Sequence, residues 1–332
     1  MKRNTKRILS LLLAACMMLG LVGCGGGDTA ASNRVVIYTS DDEESNAYFV
    51  KRLNEQFPNY DIVMQYLPTG NNASKLKSEG TQTEADIVME LESGYLESLK
   101  DMLADLSAYD TSRYMPELVD KDHKYLVFER VSSAIVINPE ILADKGLPTP
   151  KSYQDLLDPQ YKGLISMPSP KSSGTGYTFL LNLVNVMGQE QALAYFDKLS
   201  ENILQFTSSG SGPVSAVVQG EAAIGLGMTY QAVQEINKGV NLEILYFEEG
   251  APYTTYGIGV VEGRLEDPAV KEVFEFIIND LISEDKEKFN PEKIYKDQNT
   301  VIENFPQDIP YADMTGIEDQ QKKEELLSLW QY

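Results

Sequence analysis

Short apolar runs alternate with amphipathic stretches from residue 34 onward, and this alternation restricts the chain to an α/β fold. The runs "RVVIYTS" at 34–40, "YDIVMQYL" at 60–67 and "ADIVMEL" at 85–91 predict three buried strands. Helices are predicted between them, at 43–56 and over "NASKLKSEG", and a further helix is predicted after the third strand, over "GYLESLKDMLADLS". Right-handed crossovers in such a βαβαβ unit would make its sheet largely parallel.

A second α/β unit is predicted from about residue 130, where the strand of "RVSSAIVINPEIL" begins. Its further strands are "GLISM", "AAIGLGM", "LEILYF" and "YGIGVV", and its longest helix is the apolar "YTFLLNLVNVMG". Amphipathic helices are predicted at 189–200, 213–219 and 230–238, and the chain ends in helices such as "AVKEVFEFIINDLI". Chains of about 300 residues usually divide into two domains, and the two units predict that division here.

The first 23 residues are predicted to be a secretory signal peptide. Four basic residues precede the apolar run "ILSLLLAACMMLGLV", which is too short and too poorly flanked for a stable membrane span. The run ends in "LVGC" at Cys24, which resembles the lipobox of bacterial lipoproteins, where the cysteine becomes the acylated first residue. Residues 24–33 then predict a flexible tether. Cleavage also removes Cys16, so the mature chain would depend on its core rather than on a disulfide.

The charge of the chain excludes some classes of partner. It has 50 acidic and 28 basic residues and a formal net charge of −22, and a chain of this charge repels nucleic acid and anionic lipid. The acidic residues are spread over segments such as "DDEES" and "EDQQKKEE". That spread is typical of a solvated surface rather than of one field that binds cations.

Several segments, in their order and spacing, resemble the extracellular solute-binding proteins of ABC importers, in the branch that binds ferric iron or 2-aminoethylphosphonate. The segments are "VVIYTSDDEE", "LKSEGTQTEADIVME", "VINPEIL" with "GLPTPKSYQDLLDPQYKGLISMPSPKSSGTGYTFL", "ENILQFTSSGSGPVSAVVQGEAAIGLG" and "EEGAPYTTYGIGVVEG". The resemblance implies a two-lobed, type 2 periplasmic-binding fold, with two mixed sheets joined by a two-segment hinge. We expect crossings near 129–134 and 250–256. Lobe 1 would comprise 34–130 plus 257–332, and lobe 2 would comprise 131–256.

Polar loops at the ends of the predicted strands would then meet in the cleft between the lobes, as ligand sites do in open α/β sheets. Glycine lets a ligand approach the backbone, and hydroxyl groups and helix N-termini offer hydrogen-bond donors to an anion. Serine and glycine are equally the usual residues of helix caps and turns, so a structural role for each loop stays open. The candidate ligand-binding residues are Ser40, Asp41, Gly70, Asn71, Glu90, Ser172, Ser173, Gly174, Thr175, Ser208, Ser209, Gly210, Ser211, Tyr230 and Tyr256.

Tyr230 bears on the choice between iron and an organic ligand. The ferric-binding relatives typically use two adjacent tyrosines at this place, whereas "MTYQ" contains one. This departure puts direct iron binding in doubt, although Asp41, Glu90 or Tyr256 could compensate. No metal site is assigned, and Tyr230 is the ligand to expect if the metal is iron. Glu90, at the end of an apolar strand, is placed to hold a cationic ligand group.

The function implied is that of a substrate-binding receptor, which captures a small organophosphonate or phosphate ester by closing its lobes. Ferric iron or an iron chelate is the alternative ligand. An enzyme on the same fold is disfavoured, because the single histidine has no evident partner and no "GxSxG" elbow is present. The expected partners are a small-molecule ligand, an ABC permease and its ATPase, without nucleic acid or a cofactor. We expect a monomer attached by lipid to the outer face of the cell membrane or in the periplasm.

Overall fold

The computed structural model describes residues 33–41 and 43–332. The predicted signal peptide 1–23, the lipidation site Cys24 and all but the last residue of the tether 24–33 lie outside these ranges. Within them, every helix is too short or too polar to cross a membrane.

The strands of the described chain pair into one curled sheet in the order β2-β1-β3-β9-β4-β7-β5-β6, and β8 also pairs with β4. The first lobe contains β1 to β3, and the second contains β5 to β8. Their bounds are β1 Arg34–Thr39, β2 Asp61–Tyr66, β3 Ile87–Glu92, β4 Leu126–Ile137, β5 Ile165–Pro168, β6 Ile203–Thr207, β7 Ile224–Met228, β8 Glu243–Leu245 and β9 Tyr253–Val260.

The predicted βαβαβ unit is confirmed. Strand β1 runs parallel to both β2 and β3, and Ile37 lies opposite Met64 on one side and Ile87 on the other. Strands β1 and β3 are almost continuously buried, as strands covered by helices on both faces must be.

The helices largely follow the predicted pattern, and the differences from the prediction are local. The helix expected over "GYLESLKDMLADLS" is α-helical only to Leu99, and β6 was not predicted. The helix predicted over "AVKEVFEFIINDLI" is interrupted by a π-helix, Ile277–Leu281, which separates two α-helices. The α-helices are α1 Glu43–Gln56, α2 Thr69–Glu79, α3 Ser93–Leu99, α4 Pro139–Asp144, α5 Gly174–Met187, α6 Gln189–Leu199, α7 Gly212–Val218, α8 Thr229–Asn237, α9 Pro268–Phe276, α10 Ile282–Lys288 and α11 Gln320–Leu329.

Each lobe has apolar packing on both faces of its strands. In the first lobe Ile37 packs with Phe49 and Phe274, whereas Tyr38, on the opposite face of β1, packs with a separate apolar cluster. In the second lobe Ile135 and Val136, on opposite faces of β4, likewise pack in two separate apolar clusters. This alternation follows from the two-residue period of a strand and gives each lobe three layers.

Strand β4 belongs to both lobes. From Leu126 to Ser132 it pairs with β9, and from Ser133 to Ile137 it pairs with β7. The change of partner falls inside the predicted crossing at 129–134. Strand β9 returns antiparallel beside it and pairs on its other edge with β3. These two strands therefore form the hinge ribbon between the lobes.

The C-terminal segment differs from its predicted position, because lobe 1 was expected to include all of 257–332. Ala312, Met314 and Leu326 instead belong to the main apolar cluster of the second lobe. Trp330, 2% exposed, lies 5.1 Å from Phe196 between ring centroids. The buried apolar side chains of residues 312–330 thus belong to the core of the second lobe, and the other predicted boundaries remain predictions.

A buried polar network crosses the hinge ribbon. The Arg130 guanidinium, 1% exposed, lies over the rings of Tyr311 and Tyr253, at 4.1 and 5.0 Å from their centroids. Glu292 accepts hydrogen bonds from the Ser132 amide and hydroxyl, both at 2.8 Å, and from the Tyr311 hydroxyl at 3.1 Å. Burial raises the pKa of Glu292 to about 7, although these donors and Arg130 oppose the rise.

This pKa predicts how stability depends on pH. Between about pH 4.5 and 7 the unfolded chain releases the Glu292 proton while the folded chain retains it, so stability falls by about 3 kcal/mol from this group as pH rises. In Glu292→Gln this contribution disappears. Urea unfolding at pH 5 and pH 8 should show a smaller loss in the variant than in the native protein. Glu303→Gln, an exposed change of the same charge, should keep the native dependence. An equal loss of stability between pH 5 and pH 8 in all three proteins would contradict the raised pKa of Glu292.

Candidate functional site

One cavity of about 260 Å³ opens at the hinge ribbon and is lined from both lobes. The first lobe contributes Ser40, Asp41 and Glu90, and the second contributes Met228 and Tyr230. Five of the predicted residues thus meet at this cavity, namely Ser40, Asp41, Glu90, Tyr230 and Tyr256.

The topology of the sheet explains this convergence. Ser40 and Asp41 follow β1, and Glu90 lies in β3 beside it, so parallel pairing brings their carboxyl ends to one edge. Tyr230 stands in the first turn of α8, directly after β7. Tyr256 lies in β9, opposite Glu129 of β4. The crossing strands form the floor between the two walls.

Acidic side chains that the sequence did not single out complete the cavity. Glu44, Glu129 and Asp285 line it together with Asp41 and Glu90. They were missed because Glu129 lies within the hinge strand and Asp285 follows it by more than 150 residues. Asn290 donates a 2.8 Å hydrogen bond to Glu129, and Lys286 forms a buried 2.7 Å ion pair with Asp285.

Among the acids of the cavity, Glu90 has the most strongly raised pKa. Its side chain is 2% exposed, and burial, reinforced by the charges of Glu129, Asp41 and Asp285, raises its pKa well above the usual value, while Lys286 opposes this. Its backbone has φ 54°, a left-handed conformation that is uncommon for glutamate. The pairing of β3 with β9 shifts register between Val88 and Leu91, around this residue. The bulge re-aims the Glu90 side chain.

Aromatic rings form much of the remaining wall, from Tyr66, Tyr230, Tyr256 and Phe289. Burial and the charges of Glu92, Glu129 and Glu90 raise the pKa of Tyr256 well above its usual value. Its phenol therefore remains protonated at neutral pH and is available as a hydrogen-bond donor.

The residues predicted after β2, Gly70 and Asn71, do not line the cavity, and the buried polar residue lies one position further along the chain. Gly70 and Asn71 are exposed in the first turn of α2, whereas Asn72 is fully buried and donates a 3.0 Å hydrogen bond to the Ser40 hydroxyl. The sequence "GNNA" offers two asparagines. The buried Ala73 and Leu76 fix the inward face of α2 and so select the second one.

The two serine- and glycine-rich loops, Ser172 to Thr175 and Ser208 to Ser211, lie against each other. A Cβ at Gly210 would overlap the Thr175 side chain and lie 3.4 Å from the Ser173 hydroxyl oxygen. Gln231, next to Tyr230, donates a 3.1 Å hydrogen bond to the Ser211 carbonyl. The loops are therefore neighbours of each other and of the tyrosine, and their ligand-binding role remains a prediction.

Part of this arrangement serves the fold. The Ser173 hydroxyl accepts a 3.4 Å hydrogen bond from the Gly176 amide and caps α5, whereas Ser211, at the cap position of α7, makes no such side-chain bond. A Cβ at Gly174 would lie 3.4 Å from a carboxylate oxygen of Glu92. Glu92 in turn pairs with Lys323 of α11 at 3.3 Å. The protein thus places a carboxylate of its own beside the N-terminus of α5.

Two other features of the described residues lie outside this site. A cavity of about 590 Å³ is lined by Tyr253, Thr255 and the 312–318 segment, and it contains none of the predicted residues. In the described chain, the acidic, histidine and cysteine groups that are close enough to share a metal ion are limited to Glu97, Asp120 and Asp122. Lys100 pairs with two of these three acids.

Comparison with known proteins agrees with this architecture. The sequence model of a family described as "Bacterial extracellular solute-binding protein" matches residues 85–328. A relative from Salmonella typhimurium, named "Putative 2-aminoethylphosphonate-binding periplasmic protein", is 21% identical over 278 residues, 80% of each chain. The periplasmic binding protein AfuA from Actinobacillus pleuropneumoniae, with fructose-6-phosphate bound, is 22% identical with TM-score 0.76, over 90% of this chain and 97% of that one. A ferric binding protein from Campylobacter jejuni is 19% identical with TM-score 0.73, over 89% and 98%. The predicted two-lobed, type 2 periplasmic-binding fold is confirmed.

The cap at Ser173 predicts the effect of its removal. Ser173→Ala should lower the free energy of unfolding by about 1 kcal/mol, because the Gly176 amide loses its acceptor. Ser172→Ala is the matched control, since this exposed hydroxyl is only 3.5 Å from its nearest acceptor, the Ser169 carbonyl oxygen. Its stability should change by less than about 0.5 kcal/mol in urea unfolding. An unchanged stability in Ser173→Ala, with weaker ligand binding, would assign the hydroxyl to the ligand instead.

Proposed function

The chain belongs to the bacterial extracellular solute-binding protein family, and we propose that it is the substrate-binding receptor of an ABC importer. The observation that carries the proposal is the cavity at the hinge ribbon, to which both lobes contribute side chains. A ligand that contacts both walls stabilises the closed arrangement of the lobes, because only that arrangement completes its contacts. The family consists of transport receptors rather than enzymes.

The ligand we propose is a small solute that carries an oxyanion, such as a phosphonate or a phosphate ester. Support comes from the two contacting loops, whose Ser172, Thr175 and Ser209 hydroxyls and glycine amides are donors suited to such a group. The names of two similar proteins agree, since one is called 2-aminoethylphosphonate-binding and the other holds a sugar phosphate.

Ferric iron or an iron chelate is the alternative ligand. Tyr230, Tyr256 and Glu90 line one cavity and could supply the anionic oxygen ligands that ferric iron prefers. A similar structure is a ferric binding protein. Tyr230 still has no adjacent second tyrosine, and the raised pKa of Tyr256 opposes the phenolate form that iron needs.

The remaining parts of the proposal concern the cell. An ABC permease and its ATPase would receive the closed form, and the receptor would act as a monomer outside the cytoplasm. Lipid on Cys24 would hold it at the membrane, and the segment 24–33 would act as a tether. Exported protein without this anchor, made as Cys24→Ala, should appear in the soluble fraction and still bind its ligand.

A thermal-shift screen of the mature protein tests the ligand class. A bound phosphonate or phosphate ester at about 100 times its Kd should stabilise the fold by about 2.7 kcal/mol. Ferric citrate should give neither stabilisation nor a visible tyrosinate-to-iron absorption band. An iron band without any effect of phosphonates or phosphates would transfer the assignment to iron. No effect from any of these solutes would contradict both ligand classes and leave the family assignment intact.

A further inference from the structure

The cavity at the hinge ribbon is lined, among the residues that the structure describes, by many acidic groups and no basic ones. Five carboxyl groups line it, from Asp41, Glu44, Glu90, Glu129 and Asp285, and none of its lining residues in the described chain is a lysine or an arginine. The buried Lys286 lies behind Asp285 and over the Phe128 ring. An oxyanion placed among these groups would be repelled, whereas a cation would be attracted.

One of these acids, Glu90, has a buried oxygen atom that lacks a hydrogen-bond donor within the described part of the chain. Glu90 is 2% exposed and lines the cavity, and its Oε1 atom has no hydrogen-bond partner among the described residues, although the side chain also shares a hydrogen bond with the Glu129 carboxyl. A buried carboxyl oxygen without a donor is destabilising, because it has lost its hydrogen bonds to water. A ligand that brings an N–H group to this oxygen removes that cost.

The walls favour an organic cation over a bare metal ion. In the described chain, the carboxylates of the cavity are not among those that converge closely enough to share a metal ion. The rings of Tyr66, Tyr230, Tyr256 and Phe289 instead surround the space. Aromatic faces beside carboxylates suit an ammonium group, which gains from both.

We propose that this cavity binds the ammonium group of the ligand, with Glu90 as its direct partner and Glu129 beside it. The inference rests on the proposed function and narrows it, because the oxyanion would then lie at the serine and glycine loops. The solute would be a zwitterion, a small molecule that carries an amine at one end and a phosphonate or phosphate at the other.

Two chain connections place these poles next to each other. Tyr230 lines the acidic cavity, and the next residue, Gln231, binds the Ser211 carbonyl. Tyr256 also lines the cavity and pairs in register with Glu92, whose carboxylate lies beside Gly174. The acidic cavity and the two loops are thus linked through neighbouring residues of α8 and β9, and the proposed ligand would span them.

Cation binding should also release a proton. The groups that face Glu90 are Glu129 from β4, Asp41 after β1, Asp285 and Lys286 from α10, and Tyr256 from β9. Burial and the nearby acids raise the pKa of Glu90 well above its usual value, which favours the protonated form in the empty protein. An ammonium group favours the carboxylate form, so binding displaces the proton. Affinity should then rise with pH until the medium exceeds the pKa of Glu90 in the empty protein.

The first test uses matched ligands on the native mature protein. Ethylphosphonate lacks the amine of 2-aminoethylphosphonate and should bind roughly 30-fold more weakly or worse, since Glu90 and Glu129 lose their partner. Ethylamine carries the amine without the phosphonate and therefore tests the ammonium site alone. Titration calorimetry in two buffers of different ionisation enthalpy should show net proton release, of up to one proton per bound 2-aminoethylphosphonate, that decreases as the pH of the assay is raised.

The second test removes the acid. Glu90→Gln should weaken 2-aminoethylphosphonate by a similar factor, abolish proton release and leave ethylphosphonate affinity nearly unchanged. Glu43→Gln, on the exposed side of α1 and outside the cavity, is the charge-matched control and should behave as the native protein. The ligand comparison needs no variant, so the inference stays testable even if Glu90→Gln folds poorly.

Each outcome bears on one level of the proposal. Equal binding of the two phosphonates, without proton release, would overturn the ammonium site and leave the oxyanion receptor standing. Binding of ethylamine, with no contribution from the phosphonate, would support the ammonium site and overturn the oxyanion part of the proposed function. A tyrosinate-to-iron band with ferric citrate, and no phosphonate binding, would overturn both.

Discussion

The architecture depends on the division of β4 between two sets of partners. Its first half bonds to β9 and its second half to β7 and β8, so the strand can leave neither lobe without breaking a ladder. Its polar residues at the junction cannot reach bulk water, and they must be satisfied by groups from elsewhere. Arg130 is held between two tyrosine rings, and Ser132 by Glu292. The same strand presents Glu129 on its opposite face, so the hinge and the acidic cavity are two sides of one element.

Periodicity predicted most of the fold because most of the buried strands contain runs of three or more apolar residues. Strand β6 escaped prediction because "ILQFT" is an edge strand whose residues are half-buried or exposed, so no apolar run marks it. The position of residues 312–330 escaped for another reason. Helix α11 is polar over most of its surface, and the anchors that decide its lobe, Leu326 and Trp330, match any apolar surface equally well.

The candidate site was predictable where a side chain follows a strand directly. Ser40, Asp41 and Tyr230 were predicted in this way, and the family resemblance indicated that they would meet in one cleft. Glu129 and Asp285 gave no local signal, since a charged residue within a hinge strand or a helix is ordinarily read as surface. Their inward orientation results from the bulge between Val127 and Glu129 and from the burial of α10. The acidic character of the cavity is thus a tertiary property.

The packing of the C-terminal segment also sets an order of events in folding. The second lobe begins near residue 130, yet its main apolar cluster is completed by Met314, Leu326 and Trp330. Closing contacts over 100 or more residues is slow, because loop-closure entropy opposes them. An emerging chain cannot finish this lobe until its last residues are available, so the half-made protein stays incompletely packed. If the chain crosses a membrane before it folds, as we propose, that delay is an advantage.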